Sequence, residues 1–135
     1  MNVRRILTGT VVLGIVHIAI GWLTMKFVWG TTFSSLPWVN QTPPMVWLFV
    51  ADFAAAFMLM LAWDKFGAVS GRGAAAGFKF GLFAGTFVGF PAVLVWQVWI
   101  KGFPYATAWE LLVMMVVTYG ILGAVAAMLD GKSAA

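Results

Sequence analysis

The residues of this sequence that could carry chemistry are few, and the three most informative are His17, Asp52 and Tyr119. Each lies within a long apolar segment, where an ionisable side chain is costly and usually faces a partner or water. When the apolar segments are laid side by side in alternating direction, the three side chains come to similar depths. An imidazole, a carboxyl group and a phenol at one level could transfer a proton or orient a bound molecule. We therefore predict that they form the floor of a pocket.

Three further polar residues, Gln97, Glu110 and Lys26, are predicted nearer the mouth of this pocket, which would open toward the outer side of a membrane. The hypothesised ligand is a lipid, a quinone, a pigment or another small hydrophobic molecule. Structural explanations remain open beside this one. His17 and Asp52 could pair between helices, or Asp52 could be protonated. Lys26 could extend its ammonium group to the interface, and Glu110 could complement the dipole at a helix N-terminus.

The same residues form no recognisable catalytic or metal-binding arrangement. The serines lie near the ends of apolar segments whereas His17 lies in the middle of one, which excludes a Ser-His-Asp site. The acidic residues and the histidine lack the HxxxH and ExxH spacings with which one helix binds a metal. The sequence contains no cysteine, which excludes disulfides, thiolate metal sites and thiol catalysis. We expect neither an enzyme nor a resident cofactor or metal.

The elements that must position these side chains are transmembrane helices. Of the 135 residues, 63% are hydrophobic and 9% are charged, whereas about 25% are charged in soluble domains. Apolar segments at residues 6–29, 45–63, 74–99 and 109–129 are close to or longer than the ~20 residues that span a bilayer. We predict one all-α domain over residues 1–135, a polytopic membrane protein whose four transmembrane helices form an antiparallel bundle.

The distribution of basic residues predicts the orientation of the bundle. Six of the eight lie on one side of the membrane in this arrangement: Arg4, Arg5, Lys65, Arg72, Lys79 and Lys132. Because positively charged loops remain in the cytoplasm, both termini are predicted to be cytoplasmic. Topology thus explains the net charge of +4, and no nucleic-acid partner is expected.

The third predicted helix carries the strongest packing pattern. Glycine recurs there at every fourth position: Gly73, Gly77, Gly81, Gly85 and Gly89. This spacing gives a helix a smooth ridge on which another backbone can pack closely. The resulting seam, a glycine zipper, could lie inside the bundle or join it to another chain. Beyond the ridge, Pro91 lacks a backbone N–H and is predicted to kink the helix, after which the helices splay.

Smaller glycine and alanine faces are predicted on the other helices. Gly14 and Gly21 lie on the first helix, Gly120 and Gly123 on the fourth, and alanines recur over residues 51–56 of the second. One four-helix core does not need all of these faces. The excess favours a structural or accessory protein that packs with itself, as a homo-oligomer, or with a larger membrane complex. Binding or transport of a hydrophobic molecule in the pocket is the alternative.

The segment between the first two helices, residues 30–44, is uncharged and rich in proline and aromatic residues. Its prolines preclude a regular helix. Phe33 and Trp38 are expected to enter the membrane interface, where aromatic side chains are common. At the other terminus, residues 130–135 are predicted to form a short polar tail.

With its four spans, an arginine-containing start that runs into the stretch from Gly9 to Gly14, and the ridge from Gly77 to Gly85, the chain resembles small bacterial membrane proteins of the domain-of-unknown-function kind. The resemblance covers most of the length. It implies a four-helix bundle in the bacterial inner membrane, surrounded by membrane lipids. It implies no activity, ligand or catalytic residue.

Overall fold

The computed structural model describes residues 2–29, 36, 37, 39, 42 and 44–131, and within this part the chain is helical and has no strand. Helix α1, Val3–Thr24, continues as a π-helical turn, Met25–Trp29. Helix α2 is Met45–Ser70, α3 is Ala74–Trp99 and α4 is Tyr105–Gly131. Four helical segments are long and apolar enough to cross a membrane: Val3–Trp29, Met45–Gly67, Ala74–Trp99 and Tyr105–Asp130. The predicted all-α, four-helix architecture is confirmed.

The helices extend beyond the apolar segments from which they were predicted. α1 begins at Val3 and not at residue 6, because the Asn2 side chain accepts a hydrogen bond of 3.2 Å from the Arg5 amide at the first turn. α2 continues past residue 63 to Ser70, and α4 begins at Tyr105 and not at residue 109. Hydropathy marks the edge of the membrane, whereas a helix ends only where its backbone hydrogen bonds end.

The structure describes some of the features predicted near the loops and at Pro91, and others lie outside the described residues. Asp130, expected in a polar tail, belongs to α4. The interfacial positions expected for Phe33 and Trp38, and the tail beyond Gly131, lie outside the described residues. α3 runs without a break through Pro91 from Ala74 to Trp99.

The helices are arranged as two hairpins. α1 packs along α2, α3 packs more extensively along α4, and the contacts between the hairpins are sparser. The main core lies toward the end of the bundle at which the chain begins, where Leu13, Ala56 and Leu122 are completely buried. Trp63 of α2 joins this core to α3 through an edge-on contact with Phe80, at 5.3 Å between ring centroids.

Toward the opposite end, the buried cluster is confined to α3, α4 and the turn between them. It consists of Val93, Phe103, Ala108 and Leu112, and no residue of α1 or α2 belongs to it. The turn is closed by Gln97, whose side-chain amide donates a hydrogen bond of 3.4 Å to the Pro104 carbonyl. Among the residues that the structure describes, the two hairpins therefore share the core at the end where the chain begins but not the cluster at the opposite end.

Glycine allows the close approach of α3 and α4. A Cβ on Gly77 would overlap the carbonyl group of Gly123, and a Cβ on Gly81 would overlap that of Tyr119. A Cβ on Gly85 would also be too close to the backbone of α4. Because these obstacles are backbone atoms, no rotamer change could relieve the overlap. The seam formed by these three glycines lies within the chain.

The structure corrects the predicted packing role of two other glycines. Gly73 precedes α3 with a φ of 85°, a conformation that favours glycine, and no atom of the described residues lies within 4 Å of an added Cβ. Gly21 of α1 is exposed and likewise has no neighbour in the described part of the chain within 4 Å of an added Cβ. By contrast, Gly14 packs against the Phe53 ring of α2, and Gly89 would place a Cβ 3.1 Å from Leu112 Cδ1.

Candidate functional site

The structure brings together His17 of α1, Asp52 of α2 and Tyr119 of α4. His17 Nδ1 lies 3.2 Å from Asp52 Oδ1. The His17 and Tyr119 rings meet edge to face, with centroids 6.3 Å apart. Three helices from both hairpins therefore meet at one polar cluster, as their depths in the sequence predicted.

His17 and Asp52 are in contact between α1 and α2 without forming an aligned hydrogen bond. His17 Nδ1 is buried, and no acceptor among the described residues satisfies the geometry of a hydrogen bond to it. The two side chains are 19% and 27% exposed, so the pair lies between helices without being sealed from its surroundings. It is an ion pair when the imidazole is protonated and a polar contact when it is neutral.

The residues predicted at the mouth of a pocket do not join this cluster. Gln97 closes the α3–α4 turn. The Lys26 ammonium group lies 4.8 Å from the centre of the Trp22 ring, a cation–π contact within α1 and its π-helical turn. Among the described residues, no hydrogen bond, ion pair or ring contact links Gln97, Lys26 or Glu110 to His17.

Glu110 also lacks the structural role that the sequence suggested. Because α4 begins at Tyr105, its first turn contains no acidic residue, and Glu110 lies too far along the helix to complement the end of its dipole. Its side chain is exposed and lines a shallow apolar hollow of about 340 Å³ between α4 and the end of the π-helical turn. Trp29 and Trp109 also line this hollow.

The apolar hollow beside the polar cluster opens sideways between α2 and α3, whereas the predicted pocket would open along the membrane normal. We call it the α2–α3 groove. Its volume is about 400 Å³. Ala55, Ala62 and Phe66 of α2 face Phe80, Phe83 and Phe87 of α3 across it, and Tyr119 also lines it. Tyr119 therefore separates the polar cluster from an apolar space.

A second polar cluster, which the sequence analysis did not predict, ties three helices together near the end of the bundle at which the chain begins. The Arg5 guanidinium donates hydrogen bonds to Asp64 of α2 and to Asp130 of α4. The Asp64 side chain is 9% exposed, so this carboxylate depends on Arg5 for most of its polar contact. Acidic and basic residues at the ends of helices on one side of the membrane were the signal that would have predicted this network.

The His17–Asp52 contact gives a testable coupling. We expect His17→Leu to lower the free energy of unfolding by about 1 kcal/mol, because Asp52, which is 27% exposed, then loses its partner between the helices. The double variant His17→Leu/Asp52→Leu should recover part of this loss, since neither group is left unpaired. A double-mutant cycle of unfolding in mixed micelles measures the difference. Strictly additive effects of the two substitutions would contradict the coupling.

The described residues contain no group of three or more histidine, cysteine, aspartate or glutamate side chains that could hold a metal ion. The two polar clusters instead pair side chains from different helices. Comparison with known proteins finds no matching family model, no matching curated protein and no matching solved structure.

Proposed function

We propose that this chain is a structural or accessory protein of the bacterial inner membrane, with both termini in the cytoplasm. It packs with another copy of itself or with a larger membrane complex. The observation that carries the proposal is the exposure of the first part of α2. The six residues from Met45 to Val50 are 43–70% exposed, so this stretch buries none of its faces in the bundle.

The distribution of small residues supports the same segment as the contact surface. The α3 ridge and its partners Gly120 and Gly123 are used between α3 and α4, so they offer little to another protein. On α2, Ala51 and Ala54 are exposed and continue the unpacked stretch. Small side chains let two membrane helices approach closely. The partner-binding face is therefore proposed on α2, one of the small-residue faces that the sequence offered beside the glycine ridge.

The pairing of the polar residues inside the bundle is the second line of support. Arg5 binds two aspartates, His17 contacts Asp52, and Gln97 closes a turn. These groups hold helices in place, as expected of a protein whose function is to present helix faces. A catalytic protein would direct such groups toward a shared space for substrate.

Because the chain has no cysteine, single-cysteine cross-linking tests this proposal directly. We expect Val46→Cys in native membranes to give a cross-linked product, either a dimer or an adduct with a partner subunit. The matched control is Val98→Cys on α3, since Val46 and Val98 are both highly exposed, at 69% and 82%. The control should give little product, because its neighbour is lipid.

Native mass spectrometry in a mild detergent completes the experiment. The proposal predicts a defined homo-oligomer or a co-purifying subunit. If Val46→Cys cross-links no better than Val98→Cys and the protein is a monomer without partners, the proposal is wrong. A monomer that retains one discrete small molecule other than a phospholipid would instead support the alternative function, binding of a hydrophobic ligand.

A further inference from the structure

The α2–α3 groove has the length of one membrane leaflet. Along α2 its lining runs from Ala55 to Phe66. At 1.5 Å per residue this stretch is about 16 Å long, and half of the ~30 Å hydrocarbon core is about 15 Å. Both walls are membrane-spanning helices, so the groove runs along them in the direction in which acyl chains lie.

The walls of the groove are suited to a hydrocarbon chain. Small alanines on α2 face phenylalanines on α3, and Met58 adds a flexible side chain. Phe83 and Phe87 lie with their rings nearly parallel, at 21°, and both are more than two-thirds exposed, at 70% and 72%. An acyl chain lying against these rings would cover apolar surface that no other helix of the described chain covers.

One end of the groove carries positive charge. Lys65 precedes the groove residue Phe66 on α2, and Lys79 precedes Phe80 on α3. The two lysines lie at equivalent levels on either side of the loop between α2 and α3, and both are exposed. Neither has an ion-pair partner among the described residues.

The acidic residues of this end do not neutralise the two lysines. The carboxylates of Asp64 and Asp130 are both bound by Arg5. Arg72, in the loop itself, adds a third exposed cation without an ion-pair partner in the described part of the chain. Basic side chains at the end of a lipid-facing groove attract phosphate headgroups.

We propose that the α2–α3 groove, together with Lys65 and Lys79, binds one anionic phospholipid. An acyl chain fills the groove, and the lipid phosphate pairs with the two ammonium groups. The charge at one end and the leaflet length of the apolar part favour this occupant over a helix of another protein, which would need no phosphate-binding cations. The inference is independent of the protein partner proposed for the first part of α2, which lies beyond the opposite end of the groove.

Native mass spectrometry of the delipidated full chain, titrated with phosphatidylglycerol or phosphatidylcholine of the same acyl chains, tests the proposal. We expect one phosphatidylglycerol to bind in preference to phosphatidylcholine. Lys65→Gln/Lys79→Gln should weaken phosphatidylglycerol binding by about fivefold for each lysine removed, the factor that corresponds to ~1 kcal/mol. Binding of phosphatidylcholine should weaken much less, because the choline cation beside its phosphate offsets the attraction to the lysines.

Two matched controls separate the groove from the rest of the surface. Arg4→Gln removes one positive charge at the same end of the bundle but beside a different hollow, which α1 and α4 line. It should leave the preference for phosphatidylglycerol intact. Ala62→Phe fills the groove and should weaken the binding of both lipids, whereas Ala19→Phe, at an exposed position of α1, should weaken neither.

The lysine double variant tests the headgroup site even if Ala62→Phe does not fold. If Lys65→Gln/Lys79→Gln binds phosphatidylglycerol as the unmodified chain does, the headgroup site is wrong. If Arg4→Gln is as weak as the lysine double variant, the attraction is a property of the whole basic end and the site is again wrong. Helical circular dichroism of Ala62→Phe shows whether its result reports on the groove. If that variant is helical and binds both lipids normally, the acyl chain lies elsewhere.

Discussion

Gly81→Ala is expected to destabilise the protein strongly, because it adds a methyl group against the backbone of α4. The new Cβ would overlap the backbone carbonyl of Tyr119, and a helix backbone cannot move aside without displacing the rest of α4. Overpacking in a well-packed core costs about 1–3 kcal/mol. We place Gly81→Ala at the upper end of this range, at about 3 kcal/mol, because the obstacle is backbone and not a flexible side chain.

Gly21→Ala is the matched control. It adds the same methyl group to a helix of similar length, at a position where the described residues place no atom within 4 Å of the new Cβ. We expect a change of less than about 0.5 kcal/mol, the usual effect of a surface substitution. Unfolding in mixed micelles with increasing sodium dodecyl sulfate, followed by the fluorescence of the eight tryptophans, measures both variants. Equal stabilities of the two variants would show that the seam does not require glycine at position 81.

Arg5→Ala is expected to destabilise the protein less than Gly81→Ala but more than His17→Leu. It removes the guanidinium that binds both Asp64 and Asp130, so three helices lose the polar contact that supplements their apolar core at this end of the bundle. Breaking a fully buried ion pair costs about 3–5 kcal/mol. Arg5 is 23% and Asp130 39% exposed, so water can solvate part of the exposed charge. We therefore expect a loss of about 2 kcal/mol, below the range for fully buried pairs.

Two further arginine substitutions test whether the ion pairs of Arg5, and not positive charge alone, account for this loss of stability. Arg4→Ala removes the same charge from an exposed position without an ion pair among the described residues, and it should change stability by less than about 0.5 kcal/mol. Arg5→Lys should be intermediate, because one ammonium group lacks the fork geometry with which a guanidinium binds two carboxylates. If Arg5→Ala and Arg4→Ala unfold at the same detergent fraction, the network does not stabilise the bundle.

Different kinds of contact hold the two hairpins. Backbone contacts through glycine hold the α3–α4 hairpin along much of its length, whereas polar side chains at two levels connect α1 and α2 to it. The first part of α2 lies beyond both connections and buries none of its faces. A tightly packed α3–α4 hairpin and an α2 helix whose first part is exposed suit the proposed accessory role. α2 can then contact a partner without unpacking the core.

The polar residues show which part of the candidate site could be predicted from the sequence. The depths of His17, Asp52 and Tyr119 follow from counting residues along each helix, and the structure brings the three together. Gln97 and Lys26 were predicted nearer the mouth of a shared pocket, whereas each has its polar contact within its own hairpin. Height along a helix can be counted, whereas the direction of a side chain around it depends on how that helix is rotated against the others.

The glycines also show that positions along one helix do not determine which helix packs against them. The four-residue spacing predicts a flat helix face, but spacing does not say which helix packs on that face or where the face begins. Gly77, Gly81 and Gly85 lie against α4, whereas Gly73 belongs to the turn before α3. In the α2–α3 groove, alanines at positions 55 and 62 face phenylalanines of α3. That complementarity involves two helices and is absent from either one alone.

By itself, the sequence determined that this protein consists of four helices able to cross a membrane. That conclusion depends on the length of the apolar segments and the scarcity of charge, which are local properties of the chain. Only the tertiary structure decided which residues meet: Arg5 with two aspartates, Tyr119 between a polar cluster and a groove, and an α2 whose first part buries no face. The physical reason is that these helices are apolar on nearly all sides. No amphipathic stripe marks the inner face, so packing between helices selects it.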